Sequence, residues 1–555
     1  MKTFEIKFAL RCSVLAACFA AILVSCSTTE GLDHTISPQK RRDFEELKYK
    51  DPSIGAIPAD IRNLERAFIQ TIPSATDKGE QTQDYASFQQ MGPWNIGGRT
   101  RAFAYDVNNF QTLFAGGVSG GLWKSIDAGQ TWSLITKPSD LHTISCLTQD
   151  RRSGKTNIWY YGTGEPYGNS AQISGNGIFM SSDNGNTWAA LPSTVSNTTP
   201  SAHAFAYSWR ILTDPNASTD VILVATNRGG IYRSSNGGAN WTAVLPSNAY
   251  FADIVIGASG AFYACLSSFT GYTGEKASKW GVYKSVDGIT WKNVTPPDMP
   301  DNVMRIVLGA VGGNSDDVFA IANTPGFGTK GVFRLRDGDR EEWHSLWKYH
   351  ATPVDTAGIG TWENRSASIP LFGGRNGDYF TQGGYDMYVR VSPFDSNLVI
   401  LGGTNVYRSM DGFRSANNTT YIGGYGPAAP GVRYTSYPNH HPDQHDVVFH
   451  PIEPDILWSA NDGGVTRTDS IRADSVKWVD LSRGYYTTQH YAIAIRDSAN
   501  DEHAMGGMQD NGTWEGLSAD GQSLWVNRNG GDGAYCAYAD KGRTLYASTQ
   551  TARIR

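Results

Sequence analysis

Charge is scarce in this chain. Of its 555 residues, 18% are Asp, Glu, Lys or Arg, where an ordinary globular domain has about a quarter. The formal net charge is −6. No basic excess exists to hold a phosphate backbone, so the composition argues against a nucleic-acid partner. Cysteine is scarce too, with six in all. Cys12, Cys18 and Cys26 sit at the start, while Cys146, Cys265 and Cys536 are far apart and form no C-x-x-C. That excludes a disulfide scaffold and a Cys-rich zinc site. After the first 25 residues, no run reaches the roughly 18 apolar residues that a membrane helix needs. Glycine (61 residues) and aromatics (12%, including 16 Trp and 27 Tyr) are abundant. That mixture suits strands and tight turns better than helical bundles or disorder. The length allows three or four domains of about 100–200 residues, or fewer large repetitive ones.

Residues 1–25 read as a targeting segment. Lys2, Lys7 and Arg11 precede an apolar run, 12–24, that is too short to span a bilayer. The run ends Leu23-Val24-Ser25-Cys26, which resembles the lipobox of bacterial lipoproteins. The resemblance implies cleavage before Cys26, acylation of its thiol, and an exported chain anchored to the cell envelope (the outer membrane in a Gram-negative cell). Membrane contact would then be through lipid alone, at about 0.8 kcal/mol per buried methylene. The alternative is a plain secretory signal with an incidental cysteine. Residues 26–90 read as a tether, with a short helix at 58–70. Pro58 suits its first turn, and Ile61, Leu64 and Phe68 share one face.

From Gly92 the chain turns to short β-rich stretches that repeat. Four copies end in Ser-x-[Asp/Asn], a glycine turn and then Thr/Asn-Trp, centred on Asp127, Asp183, Asn236 and Asp287. The steps between them are 56, 53 and 51 residues, close to the roughly 40–50 of a four-stranded propeller blade. Worn copies are read at 333–343 and 406–413, and 465–478 keeps only Trp478. The octads resemble the Asp-box of bacterial-neuraminidase-type (BNR) repeats. Their polar groups suit hairpin turns and their Trp suits a gap between blades, so the boxed acids read as architecture. The fold expected is all-β, a β-propeller built as one large ring or, preferably, two lobes, 91–345 and 346–555. The division rests on the box-poor interval from His344 to Gly384. The strand pattern restarts at 544–555, so the second lobe is expected to be incomplete.

Further stretches carry a wider resemblance: GPWNIGGRTRAFAYD (92–106), YYGTGEPYG (160–168), HPDQHDVVFHP (441–451), NDGG (461–464) and GGMQDNGTW (506–514). Together they are similar to secreted bacterial repeat proteins of a sortilin-N-terminal-like or glycosyl-hydrolase-like group. That resemblance implies a large propeller and leaves the chemistry open. The tandem-propeller hydrolases of xyloglucan carry an Asp in an early T-D-[I/V]-G-G stretch. Here the matching stretch is Gly117-Val118-Ser119-Gly120-Gly121, and Val118 cannot ionise.

Three candidate sites follow. His441, Asp443 and His445 would share a face if they lay on a strand, and could hold a divalent metal such as zinc; the other readings are an acid/base pair or a polar seam. Six of the 11 histidines (440, 441, 445, 450, 490, 503) fall within 64 residues, which supports a site there and adds His490 as a ligand-binding candidate. The glycine-flanked acids Asp462, Asp510 and Asp532, with Gln509 and Asn511, would line one channel mouth if they cap inner strands. Two such carboxylates could act as acid and base on a glycoside; the plainer reading is turn formation. Glu165, with Arg99 and Arg101, could bind a polar or anionic ligand or simply form ion pairs. No cofactor is required by any motif. The function expected is an envelope-anchored propeller binding a glycan or extended peptide. The alternative is a glycoside hydrolase with its carboxylates in the Asp462–Asp532 region.

Overall fold

The computed structural model describes residues 46–47, 50–58, 61–69, 71 and 90–555, apart from 138–139, 166–172, 197–202, 272–273, 314, 336–337, 352–359, 427–434, 498–500 and 551–552. The targeting segment, 1–25, and Cys26 after it lie outside the described residues. The chain groups into two units, 1–58 with 169–171 and 59–168 with 172–555. In the first, a turn is closed by a bridge between Asp51 and Ala56. Everything below concerns the second, which opens with the expected helix, Ile61–Ile69.

Eight antiparallel blades follow in chain order: 100–134, 144–190, 208–246, 252–293, 305–364, 388–423, 444–480 and 490–529, with a three-stranded sheet at 536–554. Blade 1 shows why these residues make blades. Its first strand, Thr100–Asp106 (TRAFAYD), alternates small and aromatic residues. Ala102 and Ala104 pack toward blade 2, against Ile144, Trp159 and Phe179. Phe103 and Tyr105 point the opposite way, toward Trp458, Ala460 and Val465 of blade 7. A strand covered on both faces needs apolar residues on both.

That second contact closes a ring. Apolar clusters join blades 1 and 2, 2 and 3, 3 and 4, 4 and 5, 5 and 6, 6 and 7, and 7 and 1. The result is a seven-bladed propeller over residues 100–480. Blade 8 lies outside it and packs Ala504, Met508 and Trp525 on Ile96. Asn95 Nδ2 donates to Trp525 O at 3.2 Å, and Trp525 N donates back to Asn95 Oδ1 at 2.9 Å.

The repeated octads form the expected turns between the third and fourth strands. Ser125 Oγ donates to Asp127 Oδ1 at 2.8 Å and accepts from Gly129 N at 2.8 Å, and Asp127 Oδ1 accepts from Thr131 N at 2.9 Å. The same bonds recur at Asp183, Asn236 and Asp287. Asp411 bonds Ser409 in the same way. The box tryptophans fill seams. Trp132 packs in the blade 7–blade 1 cluster and donates from Nε1 to Leu481 O at 2.8 Å.

Two expectations fail. The worn copy at 333–343 is instead the hairpin of Thr329–Leu335 with Gly338–His350. The lobe boundary at 345/346 falls inside that strand, whose second half pairs with Val318–Asn323 and belongs to blade 5. A long hairpin inserted in blade 5 stretches the repeat step there, and in the sequence that stretch mimics a boundary. Ring closure instead puts the division after blade 7.

Candidate functional site

An antiparallel four-stranded blade places the start of its first strand and the turn between its second and third strands at the same end. Arg99 precedes Thr100–Asp106, Asp386 precedes Tyr388–Val391, and Asp443 precedes Gln444–Phe449. Asp462 occupies the turn between Leu457–Asn461 and Gly464–Thr468. All four therefore meet at one mouth of the ring. Asp510, in the corresponding turn of blade 8, reaches the same place.

Arg99 is the hub. Its Nε and Nη2 donate to the two oxygens of Asp462 at 2.9 and 3.0 Å, Nη2 also bonds Asp510, and Nη1 lies 3.8 Å from Glu165. Arg99 sits here because Gly98 has no side chain: a Cβ on Gly98 would stand 2.1 Å from Thr487 O. Asp462 also accepts from His445 Nε2. Asn511 Nδ2 donates to Asp462 O at 3.0 Å, and Asp532 Oδ1 accepts from Asp510 N at 2.7 Å. The Gln382 side-chain amide serves two acids, Nε2 donating to Asp386 Oδ2 at 2.8 Å and to Asp443 Oδ1 at 2.9 Å. Glu165 accepts from Arg101 at 3.4 Å and from the Tyr385 hydroxyl. Three residues of this mouth are non-glycine residues with left-handed backbone: Gln382 (φ 53°), Asp443 (φ 63°) and Asp510 (φ 59°). Such conformations cost energy and concentrate at functional sites.

The electrostatics split the carboxylates. Burial, reinforced by the negative charge of Asp462, pushes Asp443 up to about 8. Burial and Asp462 likewise hold Asp510 well above the usual carboxylate range, and burial with Asp443 and Asp462 does the same for Asp386. Asp462 goes the other way: burial opposes its charge, but Arg99 and His445 outweigh burial and hold it well below the usual range. Burial and the charge of Arg101 hold the His445 imidazole down at about 3, so it is neutral. Accessibility differs as well, since the Asp462 side chain is 3% exposed and that of Asp510 is 23% exposed.

The structure thus joins two of the candidate sites, bringing Arg99, Arg101 and Glu165 together with Asp462, Asp510, Asn511 and Asp532. Gln509 is buried, and its backbone N–H donates to Gln489 O at 2.9 Å. His490 lies beside Trp525, with ring centroids 6.2 Å apart. The proposed metal triad does not form as drawn. His441 and Asp443 precede the strand rather than lie on it, so the alternation that would align them with His445 does not apply. His441 instead faces Pro442 O at 2.8 Å and Asp510 O at 3.2 Å. Among the described residues, the donor atoms that converge are carboxylate oxygens of Asp443, Asp462 and Asp510, within 4.8 Å of one another. Arg99 already supplies positive charge to two of them. The other histidines disperse: His440 bonds Ser459 at 3.1 Å, His450 accepts from Glu453 N at 2.9 Å, and His503 pairs with Asp501. Gln382, Tyr385 and Asp386 were missed. Gln382 lies in the box-poor interval read as a boundary, Tyr385 and Asp386 stand just past its end, and their one signal is an acid after paired glycines, Gly383-Gly384-Tyr385-Asp386.

No family model matches the chain. A xyloglucanase of a Paenibacillus species is 25% identical over 331 residues, which span 52% of this chain and 30% of that protein. An ancestral GH74 enzyme superposes with a TM-score of 0.51 at 16% identity, over 83% of this chain and 62% of that one. The GH74 enzyme of Niastella koreensis gives a TM-score of 0.48 at 17% identity, over 83% and 71%. The chain therefore spans under two thirds of the first two, and the structural likeness is one of fold: a β-propeller.

Proposed function

We propose that this protein is a glycoside hydrolase-type enzyme acting on a polysaccharide at the acidic mouth of its ring. The observation that carries the reading is the partly exposed carboxyl of Asp510, held well above the usual carboxylate range, with Asp532 beside it accepting the Asp510 N–H at 2.7 Å. Acid-base cleavage of a glycoside needs one carboxyl that keeps its proton and one that does not. Asp510 keeps its proton, is the more exposed acid, and is the donor to the glycosidic oxygen. Asp532, which accepts the Asp510 amide, is the second carboxylate, activating water or attacking the anomeric carbon. Asp462 is too buried to reach a sugar. It is a fixed anion that locates Arg99 and, through Arg99, Asp510. Arg99 supplies the countercharge here, so this reading needs no divalent ion. The similarity to a xyloglucanase makes a β-glucan backbone the first substrate to try.

A second reading, glycan or extended-peptide binding without cleavage, is favoured by Arg99 tying Asp462 and Asp510 together and by Val118 in the early turn. Incubation with xyloglucan and a panel of other polysaccharides separates the two. New reducing ends that fall by about 10²-fold or more in Asp510→Ala support catalysis. Saturable binding with no new ends in wild type would sink it. Export and acylation at Cys26 complete the proposal, with incorporation of labelled fatty acid that disappears in Cys26→Ala as the check.

A further inference from the structure

Beneath the acidic mouth, the first strands of the blades enclose a small cavity of about 80 Å³. Four guanidinium groups from four blades line it, those of Arg101, Arg210, Arg305 and Arg390, with a single acid in the lining, Asp446. The protein holds each one in place. Arg101 lies 4.4 Å from the Tyr385 ring centroid and 3.4 Å from Glu165, and Arg210 pairs with Asp253 with Nη2–Oδ2 at 3.2 Å. Arg305 lies 4.1 Å from the Trp209 ring centroid and donates to Tyr385 O at 2.8 Å; Arg390 meets Asp446 at 2.8 Å. Even with Asp253 and Glu165 counted, guanidiniums outnumber carboxylates around this partly open space, where like charges of one sign stand close together.

A second observation points to the same space. The His445 side chain lines the cavity and is 0% exposed. Its Nε2 is engaged by Asp462, while its Nδ1 has no hydrogen-bond partner; the nearest acid oxygen, on Asp386, is 3.9 Å away. With Nε2–H given to an ionised carboxylate, Nδ1 is a bare acceptor on a residue of the lining, open to a donor from a ligand in the space. An anion bearing a hydroxyl meets both demands: charged oxygens for the guanidiniums and an O–H for Nδ1.

We propose that the central cavity of the ring is a binding site for a small hydroxylated oxyanion of the size of dihydrogen phosphate. Guanidinium suits such ligands because its planar fork matches two oxygens at once. This site is separate from the sugar-cleaving reading and survives its failure.

The test is thermal unfolding of the purified chain titrated with inorganic phosphate or with chloride at matched ionic strength. A ligand of the native state raises the melting temperature in proportion to the logarithm of its excess over Kd. Phosphate is expected to raise it above the chloride curve. Arg390→Gln should shift the phosphate curve to about tenfold higher concentration, the weight of one lost charge-assisted contact. Asp446→Asn removes the competing acid from the lining and should shift it the opposite way, a direction that mere structural damage does not produce. If Arg390→Gln does not fold, Asp446→Asn decides. Phosphate and chloride curves that coincide, or a phosphate curve that Asp446→Asn leaves in place or moves to higher concentration, overturn the proposal.

Discussion

Asp443 and Asp462 share one acidic cluster and respond to pH in opposite directions. Asp443 binds its proton more tightly in the folded chain, up to about 8, than an unfolded Asp does at about 3.9. The folded state thus holds a proton there that the unfolded state has released, and stability falls as pH rises between those two values. Asp443→Asn should remove that slope and stabilise the protein above pH ~8, with little effect below pH ~4. Asp462 is depressed, so its contribution is present above the unfolded value and is lost as pH falls toward its folded one. Asp462→Asn should therefore destabilise the protein at neutral pH, by leaving Arg99 buried with fewer partners. Urea unfolding of both variants at pH 5, 7 and 9 checks the signs; parallel pH profiles for the two would contradict them. The same reasoning applies to catalysis. If Asp510 delivers the proton, wild-type cleavage should decline as pH rises through its elevated titration, while Asp510→Asn should stay low at every pH.

At the scale of the element, each blade turn does one structural job. Asp127→Ala removes bonds within its own exposed turn and should cost about 1 kcal/mol, with the proposed cleavage of polysaccharide unaffected. Trp132→Ala opens the seam where blade 1 meets blade 7 and should cost about 3–5 kcal/mol. Differential scanning calorimetry distinguishes the two, and equal losses would mean that the tryptophan is not the fastening of the ring. Gly98 belongs to this scale because its lack of a side chain lets blade 1 approach Thr487. Gly98→Ala should displace Arg99 and lower both stability and activity.

At the scale of the whole molecule, the box spacing made the propeller legible from sequence. A local turn with a fixed hydrogen-bond set needs the same residues wherever it occurs, so Ser125, Asp127 and Trp132 recur as Ser181, Asp183 and Trp188. The acidic mouth was half legible: glycine-flanked Asp462, Asp510 and Asp532 stood out, and Arg99 and Glu165 were candidates, but as a separate site. His441, Asp443 and His445 misled because their spacing has meaning only on a strand, and the left-handed backbone at Asp443 ends that register before the strand begins.

Repeated antiparallel blades are written into the primary structure, because each blade is specified by residues within about 50 positions of one another. Which blades are neighbours is settled by the folding of the chain into a ring. Trp132 meets Leu481 across 349 positions, and Arg99 meets Asp462 across 363. Contacts of that separation follow from closing a circle. No local pattern encodes them, and they bring one arginine and acids of opposed titration to a single mouth.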